Sequence, residues 1–380
     1  MSKEYYDLAY LCKCAVNSTI PSKSRLEKME MEQVYNAAKH HSLTGIAAYS
    51  LESAGVQNEL FRTAKAKAAR KNILLDFERK KLFSFCEEKG IWYMPLKGCI
   101  LKDMYPDFSM RQMADNDILF DPEHRAEIKE YFKADGYRVV KYNQSNHDIY
   151  EKPPILNFEM HTSLFGASHN QKWTKYYKGI KDKLIKDSVN NYGYHFSDED
   201  FYIYIVAHEY KHYINGGTGI RSLLDRYIYL KAKQETMNWS YISDECRTLE
   251  IADFEQRSHE LSQKVFGNRE TELSDEEKTM FEYYLKSGTY GSLDQNIKHK
   301  MDELRKEKGS GSKIGAKLKY IRYRVFPPIE VYEECCPTLG RHKLLLPVAW
   351  AYRFVRGMIT KRKKVHNELR SMFSPEDKKR

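Results

Sequence analysis

The chain has no apolar run long enough to cross a bilayer. The longest, residues 344–352, contains Pro347 and falls far short of the ~20 residues a transmembrane helix needs. The opening Met-Ser-Lys-Glu-Tyr-Tyr lacks the hydrophobic core of a signal peptide. Cysteine is scarce: the seven residues Cys12, Cys14, Cys86, Cys99, Cys246, Cys335 and Cys336 show no paired metal spacing, and an odd number argues against a disulfide framework. No internal repeat occurs at solenoid periods. These absences exclude a membrane-spanning chain, a disulfide-stapled secreted scaffold and a Cys-based metal module. The expectation is a cytoplasmic protein with reduced thiols and no transmembrane segment.

What is present describes a soluble globular chain: 380 residues, 41% hydrophobic and 31% charged, enough for two or three domains. The 29 tyrosines bury their rings while keeping a polar handle, so a low mean hydropathy understates the core. The net charge of +10 is uneven: residues 341–380 hold twelve Lys/Arg against three Asp/Glu. Such a basic tail suits an anionic partner, nucleic acid or an anionic membrane surface, or serves as a solvated terminus.

Hydrophobic periodicity divides the chain. Residues 1–88 read as helices, through Met29, Met31, Val34, Ala37 and Ala38 and again through Ile73, Leu74, Leu75, Phe77, Leu82 and Phe83, closing at Gly90. Short strands are then expected at 91–96, 116–120, 137–142, 147–151 and 155–164. Helices are expected at 99–104 and, opened by Pro122, at 123–134. The order β-α-β-α-β-β-β describes a compact mixed sheet flanked by helices. Helices follow at 173–187, 198–214, 218–236, 239–265 and 275–308, then a flexible Gly309-Ser310-Gly311-Ser312, the prolines Pro327, Pro328 and Pro337, and a basic helix at 345–369 interrupted near Pro347. The fold class is α+β, divided as 1–88, 89–166, 167–308 and 309–380.

The chemistry concentrates in the sheet. Asp115 and Asp117 are two apart on a strand, so both side chains leave the same face. Glu159 and His161 share a face of the 155–164 strand in the same way. Three carboxylates converging on one spot could hold two divalent cations about 3.5–4 Å apart for an in-line phosphoryl transfer. The apolar flank Ile118-Leu119-Phe120 carries this strand into the core, where paired acids are costly without a cation. Lys97-Gly98 lies where a strand hands over to a helix, a place suited to phosphate: backbone N–H groups, close approach at Gly98 and a point charge on Lys97. Arg111 could pair with phosphate or tie down its own loop.

The run Pro95-Leu96-Lys97-Gly98, Tyr105-Pro106, Arg111-x-x-x-Asp115-x-Asp117 and Glu159-x-His161 resembles the uncharacterised bacterial nucleotidyltransferase family within the DNA polymerase β-like superfamily, over about residues 85–165. The resemblance implies a small nucleotidyltransferase core between N-terminal helices and a larger C-terminal helical domain. It implies an NTP donor, two Mg2+ ions (with Mn2+ as the alternative) on Asp115, Asp117 and Glu159, and phosphate on Lys97 and Gly98. The acceptor stays open among a small molecule, RNA, a protein and a glycan precursor. The chain departs from the pattern at Asn116, where an apolar residue is expected, at Met160 in place of Leu, and in having Lys-Gly where better-characterised relatives have Gly-Gly or Gly-Ser.

A second constellation, His208-Glu209-x-x-His212, matches the zinc-peptidase pattern, both histidines on one helix face with Glu209 as base. No third His follows at the metzincin offset. The segment from His208 to Asp225 also resembles the helical half of such nucleotidyltransferases. On that reading Lys211 and Arg221 bind phosphate, Asp225 orients Arg221 from four residues away, and His161, His208 and His212 contact substrate or support the site. A nucleotide-binding protein in which transfer has lapsed is the rival from another class; the intact carboxylates count against it.

Overall fold

The computed structural model describes residues 2–166, 171–269, 271–289, 291, 315, 319–322, 325–326 and 343–360. The Gly-Ser break, the prolines after it, Cys335, Cys336 and the basic residues beyond 360 lie outside the described residues, as does most of the helix expected to run on to 308. Among the described residues no helix is long and apolar enough to cross a membrane.

The architecture is α+β. Five N-terminal helices, α1 (Lys3–Val16), α2 (Lys23–Leu26), α3 (Met31–His40), α4 (Thr44–Ser53) and α5 (Glu59–Lys89), precede the sheet. The Asn58 side chain caps α5 by accepting from the backbone N–H groups of Leu60 and Phe61, and Gly90 ends it at φ 73°. Next come β1 (Tyr93–Pro95), the single turn α6 (Gly98–Leu101), β2 (Asn116–Phe120), α7 (Arg125–Ala134), β3 (Arg138–Lys141), β4 (His147–Lys152) and β5 (Leu156–His161). The expected order of elements is the observed one. Strands lie in the order β1-β2-β5-β4-β3; β2 and β5 are parallel and every other pair is antiparallel. The crossover between the parallel strands carries α7 and the β3–β4 hairpin.

Period-2 alternation divides the sheet into two faces. Ile118, Phe120, Phe158 and Met160 point to the back, into a core shared with Leu75, Leu82 and Cys86 of α5 and Ile128 and Phe132 of α7. Leu119 points to the front, where it joins a larger core that runs through α1 and α4 into the C-terminal helices. Those are α8 (Gln171–Tyr176), α9 (Asp198–Ile214), α10 (Ile220–Lys233), α11 (Trp239–Thr248), α12 (Ala252–Phe266), α13 (Asp275–Ser287) and, further on, α14 (Leu346–Thr360). Asn17, just past α1, bonds both the Phe266 carbonyl (2.7 Å) and the Tyr227 hydroxyl (2.7 Å), joining the two ends of this layer. The interruption expected near Pro347 is instead a helix start, since Pro347 falls in the first turn of α14, where no intrahelical N–H is missed.

Three expected helices are shorter: the one expected at 275–308 ends at Ser287, before Gly288 at φ 62°. The one expected at 173–187 stops after α8 because Gly179 turns left-handed at φ 68°; Ile185–Lys186 then pairs with Tyr194–His195 as a two-residue ribbon. The one at 239–265 divides into α11 and α12 at Glu250, which adopts φ 57° while the Ile251 N–H reaches back to the Cys246 carbonyl. This is a Schellman-type ending built without glycine, which removes the usual sequence signal.

Asn116, the departure from the family pattern, points to the back face and is fully buried. Its amide donates to the Leu75 carbonyl (2.9 Å) and accepts from the Arg79 guanidinium (2.9 Å), fastening β2 to α5. Replacing it by leucine strips a buried guanidinium of a partner, so Asn116→Leu is expected to lower stability by about 1–3 kcal/mol in urea unfolding. A variant as stable as the parent would remove this role.

Candidate active site

The parallel register pairs Asp117 with Glu159 and Leu119 with His161 across β2 and β5. This brings one carboxylate from each strand, and the imidazole beside them, onto the front face. Ligand atoms of Asp117, Glu159 and His161 all lie within 4.8 Å of one another. Asp117 Oδ1 accepts from His161 Nε2 at 2.8 Å and from Lys97 Nζ at 2.9 Å. His161 Nε2 is 3.8 Å from Glu159 Oε2. Asp115 precedes β2 by one residue and shares the electrostatic environment of both acids.

Charge organises this cluster. Burial raises the Asp117 carboxyl, but Lys97 and His161 override it and hold the group well below the usual carboxylate range. Burial, then Asp117 and Glu159, push the Asp115 carboxyl up to about 7 against the pull of Lys97 and Arg221. Glu159 is likewise raised by burial and by Asp117. The favourable interactions thus concentrate on Asp117, and its two neighbours carry the repulsion. Such a set fits a hard divalent cation: the donors are mostly carboxylate oxygens, and added positive charge would relieve the mutual repulsion.

Lys97 and Gly98 sit in a tight turn closed by the Cys99 N–H on the Leu96 carbonyl (3.0 Å). The helix behind this turn is a single turn long, and the N–H groups of Cys99 and Ile100 already donate to Leu96 and Lys97. Little dipole and few donors therefore remain for a phosphate here. Gly98 is required for another reason: a Cβ there would lie 2.4 Å from an Arg111 guanidinium nitrogen. Arg111 has its partner within the protein. Its guanidinium is buried and grips both Asp225 oxygens, at 2.7 and 2.8 Å, beneath the Lys97-Gly98 turn. Asp225, expected to orient Arg221, is thus committed to Arg111 and to the Tyr105 hydroxyl (2.8 Å). Arg221 reaches the Gln112 carbonyl at 3.4 Å, in the loop before Asp115.

The face of α9 turned to the acids carries Tyr204, His208 and Lys211, at helical spacing. Burial, then Lys97, bring the Lys211 ammonium down to about 8, against the pull of Asp117 and Glu159. Burial, Lys97 and Lys211 push His208 well below its ordinary value. The His208 and His212 Nε2 atoms stand 3.2 Å apart. Glu209, one residue on from His208, turns into the helical core, where it pairs with Arg226 and accepts from the Tyr284 hydroxyl (2.7 Å). A peptidase base would have to face the histidines, and this carboxylate does not.

Two residues near the acids were not singled out from the sequence. Tyr204 is fully buried, and the charges felt by its hydroxyl are Lys97, Asp117 and Glu159. His147 on β4 lies opposite His161 in register, with ring centroids 5.2 Å apart. Spacing back from His208 by one turn would have pointed to Tyr204; His147 needed the hairpin register.

The sheet carries acids on adjacent parallel strands, with a cationic helix across from them. A family model described as an uncharacterised nucleotidyltransferase matches residues 27–267. The chain belongs to that family and is a transferase of phosphorus-containing groups. No curated protein and no solved structure matches it.

The Arg111–Asp225 pair joins the loop before Asp115 to α10. Asp225→Ala leaves a buried guanidinium without its counter-charge and is expected to cost about 3–5 kcal/mol in urea unfolding. The double replacement Arg111→Leu/Asp225→Leu is expected to recover part of that loss. A loss in the double variant equal to the sum of the two single losses would mean the pair is not coupled.

Proposed function

We propose that the chain transfers a nucleoside monophosphate from an NTP to an acceptor hydroxyl or phosphate, with release of pyrophosphate and dependence on Mg2+ or Mn2+. The observation that carries this reading is the convergence of Asp117 and Glu159 on one sheet face, with Asp115 close enough to feel the charge of both, opposite Lys211 and beside Lys97. An acceptor oxygen attacks the α-phosphorus, the bond to the β-phosphate bridging oxygen breaks, and the pair of electrons leaves with pyrophosphate. Bound divalent cations would neutralise the phosphates and lower the pKa of the attacking hydroxyl. Asp115, Asp117 and Glu159 would hold those ions, and Glu159, raised by its surroundings, would also be placed to take the proton. His161 fixes the orientation of the Asp117 carboxylate through its Nε2–H. Lys211, with Arg221 near Asp115, supplies positive charge toward the triphosphate.

The experiment is incubation with each α-labelled NTP, Mg2+ and cell extract. Label is expected on an acceptor with the parent chain and not with Asp115→Ala/Asp117→Ala, a loss of at least about a hundredfold given the weight of electrostatic positioning in such sites. Chelation with EDTA is expected to stop labelling as well. Labelling that survives the double substitution overturns the carboxylate assignment. Metal analysis decides the other reading of α9: stoichiometric zinc lost on His208→Ala would favour a zinc site there.

A further inference from the structure

Three features around Lys97 are independent of one another. First, its ammonium sits 2.9 Å from Asp117 Oδ1, the oxygen that also receives His161. A divalent cation on Asp117 and Glu159 would meet this ammonium at close range, and the two positive charges exclude each other. His161 is anchored on a strand, whereas Lys97 has a flexible four-carbon stem and can move.

Second, the backbone at Lys97 has φ 43° and ψ −111°. Those are the angles of the first central position of a type II′ turn, a place that favours glycine. A glycine stands at the very next position, yet position 97 is lysine. A strained residue kept at such a site points to a use for its side chain.

Third, Tyr204 is fully buried, and among the described residues its hydroxyl has no hydrogen-bond partner. Its ring is held among Phe165, Tyr177, Phe196 and His208. Lys97 is foremost among the charges that its hydroxyl senses. An orphaned buried hydroxyl beside an ammonium is a hydrogen-bond acceptor ready for it.

We propose that Lys97 is an exchangeable internal cation. It neutralises the acidic cluster when no metal is bound, and a divalent cation entering on Asp117 and Glu159 displaces its ammonium to the Tyr204 hydroxyl, where it meets the triphosphate. This rests on the metal-dependent reading of the site given above. It makes metal and nucleotide binding cooperative, because the metal releases the charge that the phosphates need, and by linkage the nucleotide tightens the metal to the same degree.

The test is Mn2+ binding to the full chain, measured by loss of the free-ion EPR signal relative to a protein-free control of the same composition, with and without a non-hydrolysable α,β-methylene NTP. Lys97→Met removes the competitor, so Mn2+ is expected to bind about tenfold more tightly without nucleotide, within the usual range of coupling between sites. Lys97→Gly, which relaxes the turn and so guards against a folding failure, is expected to do the same. Lys97→Arg, which keeps the charge, is expected to bind Mn2+ as the parent does. In the parent, nucleotide strengthens Mn2+ binding; that strengthening is expected to shrink in Tyr204→Phe and further in Lys97→Met. Unchanged or weaker Mn2+ affinity in both Lys97→Met and Lys97→Gly overturns the exchange, as does full cooperativity in Tyr204→Phe. Asp117→Asn separates the two readings. If it binds Mn2+ as the parent does, the metal site itself falls; if it loses the ion while the Lys97 variants show no gain, the exchange alone falls.

Discussion

Carboxylates buried together need positive charge nearby, and the surroundings of the front sheet face follow from that requirement. Parallel pairing of β2 and β5 in the register Asp117 with Glu159 forces the acids together. Once they are together, the chain answers with Lys97 from the turn after β1, Lys211 from α9 and Arg221 from α10. The compensation is uneven. Lys97 and His161 both spend their bonds on Asp117, leaving Asp115 raised to about 7 and Glu159 raised as well. A fold built only for stability would not keep two half-neutralised acids beside a satisfied one, since replacing them with apolar side chains would remove the repulsion at no structural cost.

Holding that face in position falls to residues on its rim and back. Arg111 is drawn under the Lys97-Gly98 turn by Asp225, a residue 114 positions away, and Gly98 lacks a side chain because the guanidinium occupies that space. On the back, Asn116 spends both ends of its amide on α5. β2 is therefore clamped from two sides, with its acids facing the third. The loop from Arg111 to Asp115 is further bound by Asn72, whose amide takes the Phe108 and Arg111 carbonyls and the Met113 N–H. The same 31-residue helix thus carries the back of the sheet and the approach to the acids, so a distortion in either reaches the other.

The element order of the sheet was legible because its signals are local: alternation in 116–120, Pro122 opening a helix, Gly90 closing another. The missed boundaries lie where the backbone turned left-handed without a glycine, as at Glu250, or where a helix stopped at Gly179 and a two-residue ribbon took over. Acids on strands could be placed on a face from spacing alone, since a strand has only two. The partners of Arg111, Asp225 and Glu209 could not, since each is set by the docking of one helix on another. Tyr204 and His147 stayed unseen for the same reason: aromatic and imidazole side chains are common in cores, and only the packed structure shows which of them border the acids.

The His208-Glu209-x-x-His212 segment illustrates how a motif and its context part company. Its residue types and spacing are those of a zinc site, and the two imidazoles do meet at 3.2 Å. The chemistry of a peptidase, however, depends on the carboxylate, and here it is inside the helical core with Arg226 and Tyr284. Glu209 is 6% exposed and Arg226 1%, so the pair is a buried strut whose loss would leave one charge alone. The helix face that remains toward the acids consists of Tyr204, His208 and Lys211, one cation and two groups able to hydrogen-bond to phosphate or sugar oxygens. Seen from the sheet, α9 presents a basic face to the acids, and His208 belongs to it: burial, then Lys97 and Lys211, push its pKa well below the ordinary value.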